Sequence, residues 1–166
     1  MTFATTILPS PVGKLKLVAS DAGLAAILWE NDREDRVKLG AMTEQPDHPV
    51  LVEAVRQLSE YFAGTRRQFD LPLDFRGTDF QKSVWEALLT IPTGETRSYA
   101  EIAAQIGRPS ACRAVGAANG KNPISIIAPC HRVIGSDGSL TGFAGGLEGK
   151  KYLLELEQSA VQSMVA

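Results

Sequence analysis

Ser98-Tyr99-Ala100-Glu101-Ile102-Ala103-Ala104-Gln105-Ile106-Gly107-Arg108-Pro109-Ser110-Ala111-Cys112-Arg113-Ala114-Val115-Gly116 is the stretch on which the reading of the fold turns. Ser98 and Glu101 stand at the two positions of a capping box. The serine oxygen accepts from the third helical N–H, and the glutamate returns to the N–H of the cap. The helix they open runs through Ile102 to Ile106 and stops at Gly107. A short turn, Arg108-Pro109-Ser110, leads into a second helix that passes Gly116 and ends near Asn119. Helix, tight turn and helix make the outline of a helix-turn-helix. Many proteins that never touch DNA share that outline.

Upstream, Thr78 caps a helix that carries Phe80, Val84, Ala87 and Leu88 on one face, and Ile91-Pro92-Thr93-Gly94 ends it. Before Arg76-Gly77 the pattern changes. Leu15, Leu17 and Ala19 alternate, Ser20-Asp21-Ala22-Gly23 makes a turn, and Leu24 to Trp29 forms a second apolar run, which predicts a hairpin of half-buried strands. Residues 31–47 are polar and read as a loop; His48 falls in the same loop and is given no role. Pro49 suits the first turn of a helix whose apolar face is Leu51, Ala54, Val55, Leu58 and Phe62. Gly64 ends it. Phe69, Leu71, Leu73 and Phe75 alternate and predict a further strand, which Pro72 confines to a sheet edge. The expected fold class is α+β. A small antiparallel sheet with a helix occupies residues 1–76, and a mainly helical part with the helix-turn-helix occupies 77–166.

Composition narrows the classes. The chain has 166 residues, 44% hydrophobic and 22% charged, as in an ordinary globular protein. No apolar run approaches the ~20 residues that span a bilayer. Met1-Thr2-Phe3-Ala4-Thr5 lacks a basic start followed by an apolar core, so a cytoplasmic protein without membrane contact is expected. The two cysteines, Cys112 and Cys130, predict no structural disulfide in that compartment. With His48 and His131 they show no paired-ligand spacing, so neither metal nor cofactor is expected. The net charge of -2 does not advertise a nucleic-acid partner. Within 97–132, however, Arg97, Arg108, Arg113, Lys121 and Arg132 face only Glu101. Such a patch can meet phosphates. On charge alone, a solvated basic face explains it equally well.

Ile124-Ser125-Ile126-Ile127-Ala128 is a short apolar run that should be buried, and it delivers Pro129-Cys130-His131-Arg132 at its end. Thiolate is the reactive form of cysteine, and a free thiol ionises near pH ~8.5. A histidine can take the proton and a distant carboxylate can orient that histidine. An isolated cysteine more often packs as a small apolar residue. The tetrapeptide moves the reading towards chemistry without deciding it.

Taken in order, Arg97-Ser98-Tyr99, Arg113-Ala114-Val115-Gly116, Asn122-Pro123, Pro129-Cys130-His131-Arg132-Val133-Ile134 and Gly142-Phe143-Ala144-Gly145-Gly146 strongly resemble the O6-alkylguanine-DNA alkyltransferase family in its bacterial form. The resemblance is dense from Thr78 to Glu157. Over 1–75 it covers only the layout, implying a ribonuclease-H-like domain. It implies direct-reversal DNA repair: one irreversible transfer of an alkyl group from O6-alkylguanine, and from O4-alkylthymine, onto Cys130 by SN2 attack on a flipped-out base. It implies a monomer that meets double-stranded DNA through the minor groove.

The resemblance also assigns roles. Cys130 matches the acceptor, His131 the residue that activates it through water, and Glu157 (rather than neighbouring Glu155) the acid that orients the histidine. Asn122 matches the support of the turn, and Tyr99 the donor to the guanine. Arg113 matches the side chain that replaces the extruded nucleotide, with Ser98, Ala114, Gly116 and Arg132 as further DNA contacts. Tyr99, Val133, Phe143, Ala144 and Gly145 match the base pocket, while Cys112 is expected to pack. No cysteine precedes Cys112, so the structural zinc of some eukaryotic members is not expected. Ala144 stands where relatives carry a larger or hydroxyl-bearing residue, which predicts room for alkyl groups larger than methyl. The competing readings are a binding-only relative that recruits other repair factors, an unrelated cysteine hydrolase and a plain DNA-binding regulator. The first lacks the acceptor cysteine, the second rarely places Cys and His side by side, and the third leaves the Pro-Cys-His-Arg run without a job.

Overall fold

The structure is a computed structural model that describes residues 2–165. Four strands form the first sheet: β1 (Phe3–Ser10), β2 (Gly13–Ala19), β3 (Leu24–Leu28) and β4 (Met42–Glu44), in the order β3-β2-β1-β4. The hairpin expected from the alternation is β2 and β3, antiparallel, with a bulge at Val18/Ala19. The sheet as a whole is mixed, not antiparallel, because β4 pairs parallel with β1. Neither β1 nor β4 follows from the sequence pattern. At its start β1 is covered on both sides, with Ala4 in one apolar cluster and Phe3 in another, so no alternation marks it. β4 has three partly or fully exposed residues inside the stretch read as a loop.

The run Phe69–Phe75 forms no strand. A single bridge joins Leu73 to Leu24, where Leu24 donates to Pro72 O at 2.8 Å and Asp74 donates to Leu24 O at 2.8 Å. Pro72 has no N–H with which to extend a ladder. The run lies along the β3 edge and packs its apolar side chains on the core.

α1 (Pro49–Phe62) opens with Pro49 and is capped by His48, whose Nδ1 accepts from Val50 N at 3.2 Å. His48 is therefore a helix cap and not an idle loop residue. α1 buries Leu51, Ala54, Leu58 and Tyr61 against the sheet. α2 (Asp79–Leu88) starts from a full capping box between Thr78 and Gln81. After β5 (Arg97–Ser98), α3 (Tyr99–Gln105) starts from the capping box of Ser98 and Glu101. Gly107 then closes it at φ +78°, with Arg108 N donating to Ala103 O and Gly107 N to Ala104 O. That pair of bonds is a Schellman cap, which favours glycine. α4 (Cys112–Gly120) completes the helix-turn-helix. β6 (Val133–Ile134) pairs parallel with β5, and α5 (Gly146–Val165) ends the described chain.

The two halves share their interior. The first core joins the sheet and α1 to Ile124, Ile126, Ile127 and Leu153 from the second half. The second core gathers α2, α3 and α4 around Cys130 and Val133. Ile27 N donates to Pro123 O at 2.8 Å and seats the 122–128 loop against β3. That loop is compact. Ile127 N bonds Ser125 O, Ala128 N bonds Ile124 O, and Ile126 is held at φ +76°. A β-branched residue in that region stores about 1–3 kcal/mol of strain. The loop therefore brings Cys130 to the seam between the two cores.

Candidate active site

Asn122 ties the loop to itself. Its Nδ2 donates to Ala128 O at 2.8 Å and its Oδ1 accepts from Ile124 N at 3.1 Å. Arg36 braces the loop from outside. It forks onto Asp32 with two 2.7 Å bonds and donates to Asn122 O at 2.8 Å. The polar loop reading missed Arg36, although the Asp32/Arg36 spacing of four was a local sign of order. Trp29 Nε1 donates to Ser125 Oγ at 3.1 Å from the sheet side.

Cys130 opens a 3₁₀ turn, Cys130–Arg132, and is buried. Burial pushes its thiol up, while the side chains of Asn122 and Ser125 and the charges of Arg36 and Lys150 reverse only part of the rise. The thiol is thus protonated at rest and needs a base. His131 is fully buried, with Nε2 2.7 Å from Glu157 Oε2 and Nδ1 without a partner among the described residues. Burial holds the imidazole below its ordinary range, and Glu157 offsets part of that. Burial would raise the Glu157 carboxyl, but His131 and then Arg132 hold it down at about 2. A charged Glu157 assigns the proton of neutral His131 to Nε2 and leaves Nδ1 basic. Glu155, two residues earlier on α5, is exposed.

Arg132 is a correction. Read as a DNA contact, it is instead 6% exposed and bonded inward. Nε and Nη2 fork onto the two oxygens of Glu157 at 2.8 Å each, Nη1 donates to Ile91 O at 2.6 Å, and Nη2 also reaches Thr93 Oγ1 at 3.3 Å. Buried and held by these groups, the guanidinium is turned inward and does not face a phosphate. The basic patch loses this member and keeps Arg97, Arg108, Arg113 and Lys121 near its surface. Arg97 pairs with Glu95, and Arg108 lies over the Phe80 ring.

Cys112, Arg113 and Ala114 are exposed in the first turn of α4, so Cys112 does not pack as expected. Ser98 spends its oxygen on the α3 cap, and Gly116 faces the edge of the Tyr99 ring. The Tyr99 hydroxyl is hydrogen-bonded to Thr141 Oγ1. Behind them Lys150, fully buried, donates to Val133 O at 2.7 Å and to Thr141 Oγ1 at 3.2 Å. Burial lowers its ammonium, and the nearby Cys130 offsets part of that. Lys150 was missed; its position three before Leu153 on the inward stripe of α5 was the available signal. Phe143 packs edge-on to Trp29 at 5.3 Å and to His131 at 6.4 Å. Gly145 lies where a Cβ would come within 2.8 Å of the Trp29 ring. Ala144 borders the first core.

Among the described residues no group of three or more His, Cys, Asp or Glu is placed to hold a metal, and no helix is long and apolar enough to cross a membrane. A cavity of about 650 Å³ opens over the outer sheet face among Leu28, Trp29, Val37, Leu39 and Met42; it is lined by no cysteine or histidine and meets the supports of the loop at Trp29 and Asp32.

A buried thiol, a histidine next to it in the same turn with a carboxylate on its Nε2, and a helix-turn-helix packed on the same core match the class of cysteine-dependent proteins that act on DNA. Residues 79–159 match the family described as "6-O-methylguanine DNA methyltransferase, DNA binding domain", and residues 4–75 match its ribonuclease-like domain. The chain belongs to the 6-O-methylguanine DNA methyltransferase family. It is 55% identical over 151 residues to the methylated-DNA–protein-cysteine methyltransferase of Mycobacterium tuberculosis, covering 90% of this chain and 89% of that one. The Methanosarcina barkeri protein of the same name is 51% identical over 92% of this chain and 96% of its own. Among solved structures, Mycobacterium tuberculosis OGT in complex with DNA superposes with a TM-score of 0.86 at 51% identity, over 96% of this chain and 94% of that one.

Proposed function

We propose that this protein repairs DNA by moving the alkyl group of O6-alkylguanine onto Cys130, once per molecule. The carrying observation is the commitment of His131 Nε2 to Glu157 at 2.7 Å, which leaves Nδ1 as the base for a buried thiol. The proton of Cys130 passes to His131 Nδ1, directly or through water. The thiolate attacks the alkyl carbon from behind, the carbon–O6 bond breaks, and its electron pair leaves on the guanine. A donor at the departing base lowers that barrier, and the Tyr99 hydroxyl is the candidate, exchanging Thr141 for the base. The product is a thioether with no hydrolytic exit, so turnover stops at one.

The lesion lies inside the duplex, so the nucleotide must leave the stack. Arg113 on α4 is the candidate to fill the gap, with approach from the minor groove. The same attack suits O4-alkylthymine. A cytoplasmic monomer that needs neither metal nor cofactor fits this chemistry. Ala144 and Gly145 beside the pocket favour acceptance of alkyl groups larger than methyl, and undetectable benzyl transfer refutes that extension.

The test uses an oligonucleotide containing O6-methylguanine. Intact and peptide masses should show one added methylene on the Cys130 peptide. Cys130→Ser should bind the DNA and gain nothing. Repeated turnover, or an adduct elsewhere, overturns the reading. A protein that only binds alkylated DNA gives no adduct at all.

A further inference from the structure

Tyr61 lies at the end of α1, in the N-terminal half, yet its hydroxyl donates to Glu157 Oε2 at 2.6 Å. Both residues are buried. The Tyr61 ring is wedged against Phe62 at 5.3 Å and Phe69 at 5.4 Å, so the hydroxyl is aimed by packing. Glu157 Oε2 then accepts from three donors: Tyr61, His131 at 2.7 Å and Arg132 at 2.8 Å. Burial, reinforced by Glu157, keeps the phenol well above its ordinary 10, so Tyr61 stays a neutral donor. A carboxylate shared among several donors draws less strongly on each of them. The draw on His131 Nε2 sets the basicity of Nδ1, the atom that receives the thiol proton.

We propose that Tyr61 is a positioning residue for alkyl transfer: its hydroxyl fixes the Glu157 carboxylate and limits how strongly it holds the His131 proton, making α1 part of the transfer machinery. The inference rests on the alkyl-transfer reading above. The charged and titratable groups around His131 are Glu157 and Lys150 from α5 and Arg132 and Cys130 from its own turn, with Tyr61 acting through Glu157 from α1. Tyr152 is a further titratable group around Tyr61. None of these substitutes for the Tyr61 donor, since Arg132 already uses both Glu157 oxygens.

Two readouts test the proposal: single-turnover transfer from O6-methylguanine DNA between about pH 5 and 9, and the NMR titration of the His131 ring. Tyr61→Phe keeps the ring and removes the donor. Glu157 then holds the His131 proton to higher pH, so the acid limb of the rate profile and the His131 titration both move up by roughly half a unit to one unit. In a Glu157→Gln background, Tyr61→Phe should move neither. A uniform loss of rate at every pH with an unmoved titration marks a merely structural role and overturns the proposal. So does a shift that persists without Glu157. Should Tyr61→Phe fail to fold, 3-fluorotyrosine at position 61 makes a stronger donor of nearly the same shape. It must move both readouts to lower pH, and no movement refutes the proposal. Absence of any adduct on the wild-type Cys130 defeats the alkyl-transfer reading itself, while the NMR titration still decides whether Tyr61 tunes His131.

Discussion

Replacing Arg132 with methionine keeps a long side chain and removes the guanidinium. The loss is specific: the fork onto Glu157, the bond to Ile91 O and the contact with Thr93 all disappear. Glu157, 1% exposed, then keeps its charge with only Tyr61 and His131 as donors. Removing one partner of a buried ion pair costs about 3–5 kcal/mol, because the other charge stays buried without compensation. In a chain of this size each kcal/mol moves the melting temperature by about 2–4 °C, so Arg132→Met should melt on the order of 10 °C lower. Arg132→Lys should rescue little, since an ammonium cannot fork onto a carboxylate. The second arm of the assay is DNA affinity against salt. Loss of a phosphate contact makes the salt dependence shallower by about one. Arg132→Met should leave that slope unchanged. A variant as stable as wild type with a shallower slope would restore Arg132 to the DNA interface and refute the buried-pair argument.

Arg113→Ala should leave the melting temperature unchanged, since the side chain is exposed. It should slow transfer from duplex DNA about tenfold or more, because a few kcal/mol of unstacking loses its compensation. Transfer from free O6-methylguanine base should hold, and an equal loss on both substrates contradicts an extrusion role. Glu157 gives a pH-dependent term in stability. Its folded value of about 2 lies below the ordinary 4.5. The contribution, roughly 3 kcal/mol, is therefore complete above about pH 4.5 and is lost as pH falls towards about 2. Wild-type and Glu157→Gln denaturation midpoints should converge across that window; parallel curves would show that the pair adds no stability. Gly145→Ala places a Cβ 2.8 Å from the Trp29 ring and 2.9 Å from Phe143. Overpacking of that kind destabilises by about 1–3 kcal/mol. Chemical denaturation showing no change would mean that the 142–146 segment shifts freely.

The local elements were legible because their causes are local. The Ser98/Glu101 box, the stop at Gly107, the Thr78 cap and the apolar face of α1 each depend on a few neighbouring residues. The resemblance carried the family and pointed to His131 and Glu157, whose side chains meet in the structure, and to Cys130 in the same turn as His131. The strands were less legible. β1 is covered on both faces at its start, β4 is short and largely exposed, and Pro72 stops a run that alternates like a strand. In each case the tertiary setting outweighs the pattern.

The sequence by itself determined the order of the second-half helices, the tetrapeptide that bears the thiol and the family to which both belong. Only the tertiary structure decided what the charged and polar side chains do. An arginine in a basic stretch reads as a phosphate contact until its fork is seen on a carboxylate 25 residues away. Tyr61, 96 residues before Glu157, carried no sequence sign of meeting it. Helix caps and turns are set within a few residues, whereas a buried carboxylate takes whichever donors the packing of distant elements brings within hydrogen-bonding distance.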